Sequence, residues 1–192
     1  MDSKIVSEIE ILDILKSKPN VALRSLYSSY YKYVCSVVYK MTGDASVAED
    51  ISQEVFIEVW KRRESLDVTS TLKGYLRKVA VNKTLNHIRS KKMNFEEEDS
   101  VFQVPSEENS TQIILEAEDL QNAINSAIDS LPERCRLIFG LSRYEEKTYK
   151  EIAEALSISI KTVENQMSKA LKIVRMFVQK YQSENKFKNK LN

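Results

Sequence analysis

The chain is poor in the residues that interrupt regular structure. Its 192 residues include only 3 Gly and 3 Pro. Turn-rich β architectures need more of both, and no long Val/Ile/Thr alternation marks a sheet. There is one His and there are two Cys. His87 lies in a basic stretch with no Cys or carboxylate at ligand spacing. Cys35 and Cys135 are far apart and form no C-x-x-C. These positions argue against a metal site, a redox pair or a histidine-based active centre, and leave core or near-core thiols. There is no Gly-rich phosphate loop and no H-E-x-x-H. Neither an enzyme nor a cofactor is therefore expected. No run approaches the ~18 apolar residues of a membrane span. The opening MDSKIVSEIEILDILKSK lacks the basic start and apolar core of a secretory signal, so the expected location is cytoplasmic. Excess charge of one sign is also missing. With 29 basic residues against 28 acidic ones, a uniformly basic nucleic-acid binder is excluded.

What is present favours helices. An apolar content of 42% supplies real cores, and 30% charged residues suit amphipathic helices with solvated faces. The predicted fold class is all-α, with two small helical domains joined by an acidic flexible linker. Residues 1–20 form an amphipathic extension, with Ile5, Ile9, Leu12 and Leu15 at helical spacing and Pro19-Asn20 ending it. Within a first domain (21–92), helices are expected from Ala22 to Met41, from about Ser46 to Glu64 and from about Thr71 to Lys92. Gly43 supplies the turn, and Asp44 or Ser46 caps the helix after it, Ser46 with Glu49 as a capping box. Residues 93–112 hold the linker: Met93 to Thr111 has six acidic residues and no basic one, with no helical period. The second domain (113–182) begins with a helix from about Ile113 to Ser130. A helix opened by Leu131-Pro132-Glu133 follows, with Pro in its first turn. A paired set of helices closes the domain, and 183–192 is a basic tail.

Charge follows this layout. Lys61 to Lys92 carries ten Lys/Arg against two acidic residues, and Lys147 to Lys180 carries seven against three. Two basic surfaces joined by an acidic strap suit one polyanion gripped twice, although each run alone also reads as an ordinary solvated face.

The most specific stretch is TYKEIAEALSISIKTVENQMSKALK, Thr148 to Lys172. Thr148 and Glu151 form a T-x-x-E capping box. Ile152, Ala153 and Leu156 face inward, Ser157 to Ser159 make a break, and Ser159 caps a second helix. On that helix Ile160, Val163, Met167, Ala170, Leu171, Val174, Phe177 and Val178 share one arc. The opposite arc carries Lys161, Thr162, Asn165, Lys169 and Lys172, with Glu164 and Ser168 on one flank. A capped helix, a short turn and a long polar helix suit a helix-turn-helix, whose second helix can enter the DNA major groove, and do so better than the alternative of a generic helical hairpin with a solvated polar face. Asn and Lys reach base edges there, and Lys and Thr hold phosphates.

Two further faces leave alternatives open. In the helix after Gly43, the arc Ala48, Ile51, Val55, Phe56, Val59 and Trp60 faces a core. The polar side holds Asp50, Gln53, Glu54 and Lys61, with apolar Ile57 in its middle. An apolar centre with a polar rim suits a protein-binding patch, and a single stray surface Ile accounts for it equally well. In the next helix Tyr75, Lys78, Asn82, Asn86 and Arg89 share an arc, preceded by a loop containing Ser70 and Thr71. Rings, amides and cations together suit single-stranded nucleic acid. A plain solvated face is the alternative.

In this order the pieces resemble the sigma-70 family of RNA polymerase sigma factors, in its two-domain extracytoplasmic-function (ECF) group, over about Leu23 to Tyr181. GDASVAEDISQEVFIEVWKRR (Gly43 to Arg63) is similar to the core-polymerase-binding helix with its D-x-x-Q-x-x-F pattern, here Asp50, Gln53 and Phe56. YLRKVAVNKTLNHIR (Tyr75 to Arg89) resembles the helix that reads the −10 element. SLPERCRLIF (Ser130 to Phe139) and the helix-turn-helix after it, Glu151 to Ala170, resemble the −35-reading domain. The ENQMSKALK wording looks most like a subgroup found in Bacteroidetes.

The resemblance implies a non-enzymatic promoter-specificity factor. Its partners would be core RNA polymerase (the largest-subunit coiled-coil and the flap), promoter DNA (duplex at −35, single-stranded at −10) and an anti-sigma factor. It assigns polymerase binding to Asp50, Gln53, Glu54, Phe56, Ile57, Trp60 and Lys61. It assigns −10 contacts to Ser70, Thr71, Tyr75, Lys78, Asn82, Asn86 and Arg89. The −35 contacts fall to Lys161, Thr162, Glu164, Asn165, Gln166, Ser168, Lys169 and Lys172. Glu164 and Ser168 depart from residues some members carry, so the promoter sequence does not transfer, and Ser157 replaces a Gly frequent in the turn. The competing readings are an autonomous helix-turn-helix repressor or activator and an adaptor that binds only protein.

Overall fold

A computed structural model of the chain describes residues 14–15, 17–66, 71–91 and 116–191. Every described element is helical: α1 (Pro19–Thr42), α2 (Ala45–Arg62), α3 (Leu72–Ser90), α4 (Glu116–Asp129), α5 (Glu133–Arg143), α6 (Tyr149–Leu156) and α7 (Ile160–Leu191). The chain divides after Lys92 into two units. In the first, α1 packs on α2 and α3, and α2 also packs on α3. In the second, α4, α5 and α6 each pack on α7.

Helix ends follow local chemistry. Pro19 opens α1 rather than ending the extension before it. A proline at the first helical position loses no hydrogen bond, and its fixed φ is already helical. Residues 1–13 of the extension lie outside the described residues, while Leu15 is buried against the first unit. Gly43 ends α1 in the left-handed region at φ 68°, and its N–H donates to the Tyr39 carbonyl. Asp44 then caps α2, its Oδ1 accepting from the Val47 N–H at 3.1 Å. The expected Ser46–Glu49 box is not the cap, because Asp44 already occupies that position two residues earlier. Thr71 caps α3 by accepting from the Gly74 N–H at 3.1 Å.

The core of the first unit contains Leu26, Val34, Val38 and Met41 of α1, Ile51, Val55 and Val59 of α2, and Leu72, Leu76, Ala80 and Leu85 of α3. Each large member contributes about 1.5–3 kcal/mol by leaving water. Thr84 sits inside with its hydroxyl donating to the Ala80 carbonyl at 2.8 Å, which satisfies a group otherwise costly to bury.

In the second unit Pro132 precedes α5 as its N-cap, and the helix starts at Glu133. Arg136 reaches back over the end of α4, its Nε donating to the Ile128 carbonyl at 3.2 Å and its Nη2 to the Asp129 carbonyl. A fixed cation there gives the Asp129 carbonyl a donor, joins the Leu131 N–H on the Ile128 carbonyl, and opposes the negative end of the α4 dipole. The last helix runs beyond the expected Gln182, to Leu191. The sequence-based start of α4 at Ile113 falls on residues outside those described.

Candidate functional site

The helix-turn-helix forms as its sequence requires. The Thr148 N–H donates to Glu151 Oε2 at 2.8 Å, and the Glu151 N–H donates to Thr148 Oγ1 at 3.3 Å, closing the capping box. The hydrogen bonds from the Thr148 hydroxyl and N–H hold the Glu151 carboxyl below the usual carboxylate range. Ser157 ends α6 in the left-handed region at φ 57°, ψ 42°, which glycine enters without penalty and serine at some cost. The Ile158 N–H closes the turn on the Ala153 carbonyl at 3.0 Å. Ser159 Oγ then accepts from the Thr162 N–H at 3.0 Å and opens α7.

The inward face of α7 is turned from the expected arc. Val163, Gln166, Met167, Ala170 and Ile173 are buried, while Ile160 is 47% and Leu171 36% exposed. Gln166 is therefore a correction to the predicted −35 contacts. It is 3% exposed, and its Oε1 accepts from the buried Cys135 Sγ at 3.0 Å. An amide spent inside the domain has no reach to a base. Lys161, Glu164, Asn165, Ser168 and Lys172 face solvent, and Thr162 and Lys169 are half-buried. Lys161 Nζ lies 3.4 Å from Glu164 Oε2, an exposed pair that holds each side chain only loosely.

In the first unit, α2 buries Ala48, Ile51, Val55, Phe56 and Val59, none more than 4% exposed, and leaves Ile57 52% exposed. Ile57 borders a shallow groove of about 500 Å³ lined by Asn20, Leu23, Tyr27, Gln53, Phe56 and Trp60 as well. Phe56 lies in the groove's lining rather than on the surface. Its ring centroid is 5.0 Å from that of Tyr27, which stacks on Tyr31 at 4.5 Å. Arg63 covers the Trp60 ring at 4.8 Å. Asp50, Gln53, Glu54 and Lys61 are exposed. Periodicity had no means of finding Leu23 and Tyr27, because they join the groove from α1.

On α3, Lys78, Asn82, Asn86 and Arg89 are exposed, as is Thr71 at its start. Arg89 Nη1 donates to Asn86 Oδ1 at 3.2 Å. Tyr75 is half-buried, and its hydroxyl is pushed up from its ordinary value by burial, with Arg62 lowering it and Glu58 raising it. Ser70, predicted beside Thr71, lies outside the described residues. Across the α2–α3 seam Lys83 Nζ meets Glu54 Oε2 at 3.1 Å.

A capped helix-turn-helix with an outward polar helix, in a chain whose other unit has three helices among its described residues, has the architecture of a modular DNA-binding protein. Two family models match it: sigma-70 region 2 over residues 26–93, and sigma-70 region 4 over 121–174. ECF RNA polymerase sigma factor SigW of Bacillus subtilis is 28% identical over 163 residues, covering 80% of this chain and 87% of that protein. ECF sigma factor SigE of Mycolicibacterium smegmatis is 28% identical over 154 residues, covering 79% of this chain and 59% of its own. The ECF sigma-E factor of Escherichia coli is 25% identical over 171 residues, covering 82% and 87%. Among solved structures, CnrH in complex with the cytosolic domain of CnrY aligns with a TM-score of 0.46 at 15% identity, covering 90% of this chain and 97% of that one. The chain belongs to the sigma-70 family, in its ECF group. It is a sigma factor that binds core RNA polymerase and promoter DNA and directs transcription initiation. Among the described residues no helix is long and apolar enough to cross a membrane.

Proposed function

We propose that this sigma factor works through three surfaces and carries out no chemistry of its own. The Ile57 groove, with Asp50, Gln53, Glu54, Phe56, Trp60 and Lys61, docks the coiled-coil of the largest polymerase subunit, and the second unit meets the flap. The α3 arc of Tyr75, Lys78, Asn82, Asn86 and Arg89, with Ser70 and Thr71, holds the unstacked −10 strand. Unstacking costs a few kcal/mol, which binding energy on that surface must offset. The outward face of α7, comprising Lys161, Thr162, Glu164, Asn165, Ser168, Lys169 and Lys172, reads the −35 duplex. In this reading residues 21–92 are the polymerase and −10 module, 93–112 the linker and 113–182 the −35 module. The factor is cytoplasmic, is held inactive by an anti-sigma factor, and belongs to the Bacteroidetes-like subgroup that the ENQMSKALK wording suggests.

The observation that carries this reading is Ile57. It is the apolar residue of α2 that the core leaves half outside, and it sits beside a groove with a polar rim. The test is run-off transcription by core polymerase lacking any sigma factor, supplied with this protein and a library of upstream regions. Discrete transcripts dependent on the protein are expected. Tight duplex binding by the protein alone, with no polymerase binding and no transcripts, would overturn the reading.

A further inference from the structure

Lys83 belongs to none of these three surfaces, yet it touches one and adjoins another. It follows Asn82 on α3, while its ammonium lies 3.1 Å from Glu54, 29 positions earlier on the polymerase face of α2. The Lys83 side chain is only 23% exposed, so its stem is held along the seam, whereas Glu54 is 60% exposed and open to an incoming group. A carboxylate of α2 thus holds a side chain of α3 across the seam.

We propose that Lys83 is a further contact for the backbone of the −10 strand, and that Glu54 masks it until polymerase takes the carboxylate. The inference rests on the reading of α2 as the docking face and α3 as the −10 surface. Its physical basis is charge and reach. An ammonium neutralised by a carboxylate offers a phosphate no net attraction, and the carboxylate beside it repels the strand. An ion pair whose carboxylate is open to solvent, as Glu54 is, gains little from its charge, so it yields readily to a competing cation. The acidic rim made by Asp50 and Glu54 suits a partner surface that supplies one. Once Glu54 is engaged there, the four-carbon stem of Lys83 lets its ammonium turn to the strand beside Asn82. Polymerase and strand then favour the same open state, so each strengthens the binding of the other. The free factor, by contrast, has little attraction for stray single strands.

The test compares the full-length wild type with Glu54→Gln, Lys83→Gln and the double variant, using anisotropy of a fluorescein-labelled oligothymidylate at low salt. For the free protein, Glu54→Gln should tighten strand binding about three- to tenfold and steepen its salt dependence by about 0.7 in logarithmic slope, the increment for one phosphate contact to a single strand. Adding Lys83→Gln should remove that gain. With saturating core polymerase the gain from Glu54→Gln should vanish, and Lys83→Gln should weaken strand binding. No gain from Glu54→Gln, or a gain that survives Lys83→Gln, overturns the proposal. A misplaced docking face shows separately, as an Ile57→Glu variant that keeps its polymerase affinity, a result read without any strand present.

Discussion

Replacing Ile57 by glutamate should remove polymerase binding while leaving the fold in place. Full burial of an isoleucine side chain is worth about 1.5–3 kcal/mol. Ile57 is 52% exposed in the free factor, so docking has about 1 kcal/mol left to gain from it. The carboxylate adds a larger penalty. The other groove-lining residues (Asn20, Leu23, Tyr27, Gln53, Phe56 and Trp60) carry no positive charge; Asp50 and Glu54 flank it with like charge, and the exposed Lys61 one turn on offers the one nearby cation on that face of α2. Desolvating a carboxylate with only an exposed lysine, a weak partner, beside it costs several kcal/mol. A combined loss of about 4 kcal/mol corresponds to roughly a thousandfold weaker complex, and Ile57→Ala should weaken it about fivefold. Titration of labelled core polymerase measures both. Far-UV circular dichroism and the thermal midpoint should stay near wild type, since surface substitutions away from special features change stability by about 0.5 kcal/mol or less. Ile51→Glu, at a position 3% exposed on the same helix, should instead unfold the domain. A folded Ile57→Glu protein that binds polymerase like the wild type would refute the docking argument.

Other expectations concern the second unit. Lys169→Ala should weaken duplex binding and lower its salt slope by about one unit; an unchanged slope in a filter-binding series means that Lys169 touches no phosphate. Arg136→Met removes the charged donor to the Asp129 carbonyl and one of two donors to that of Ile128, and should destabilise this unit by about 1.5–3 kcal/mol in a denaturant titration. The depressed Glu151 carboxyl predicts a pH effect. Its folded-state pKa lies below the unfolded one, so the stabilisation is complete above the ordinary carboxylate range and is lost as pH falls through the lower folded value. Glu151→Gln should remove that part of the acid dependence, and an identical stability-versus-pH curve for both proteins contradicts the linkage.

Helix positions were legible because their ends are chemically marked. Thr148 with Glu151, Ser159 and Gly43 act where their residue types say they should. Ambiguity arose where two candidates competed for one role, as with Asp44 and Ser46, and geometry chose the earlier. The arc of α7 was misjudged for a physical reason. Counting from Ile160 assumes that every apolar residue faces inward, whereas the first residue of a helix is free to face water and a buried amide is permitted when it finds a partner. Gln166 finds Cys135, 31 positions away, and no period encodes that pairing. The Glu54–Lys83 contact and the α1 wall of the Ile57 groove were hidden for the same reason, since both join separate helices. Ser157 was readable as a serine in a glycine's position, but only its φ of 57° shows that it accepts the left-handed conformation.

The partition of α7 also bears on how such a protein can change over generations. Val163, Gln166, Met167 and Ala170 hold the domain together, while Lys161, Glu164, Asn165 and Ser168 point to solvent on the same stretch of helix. Substitutions at the second set cost little stability, about 0.5 kcal/mol or less each, yet under the proposed −35 reading each alters what the helix offers a base pair. Duplicated copies can therefore drift to new target sites without first acquiring compensating core mutations. Foldability then sets little limit on which residues this face can carry.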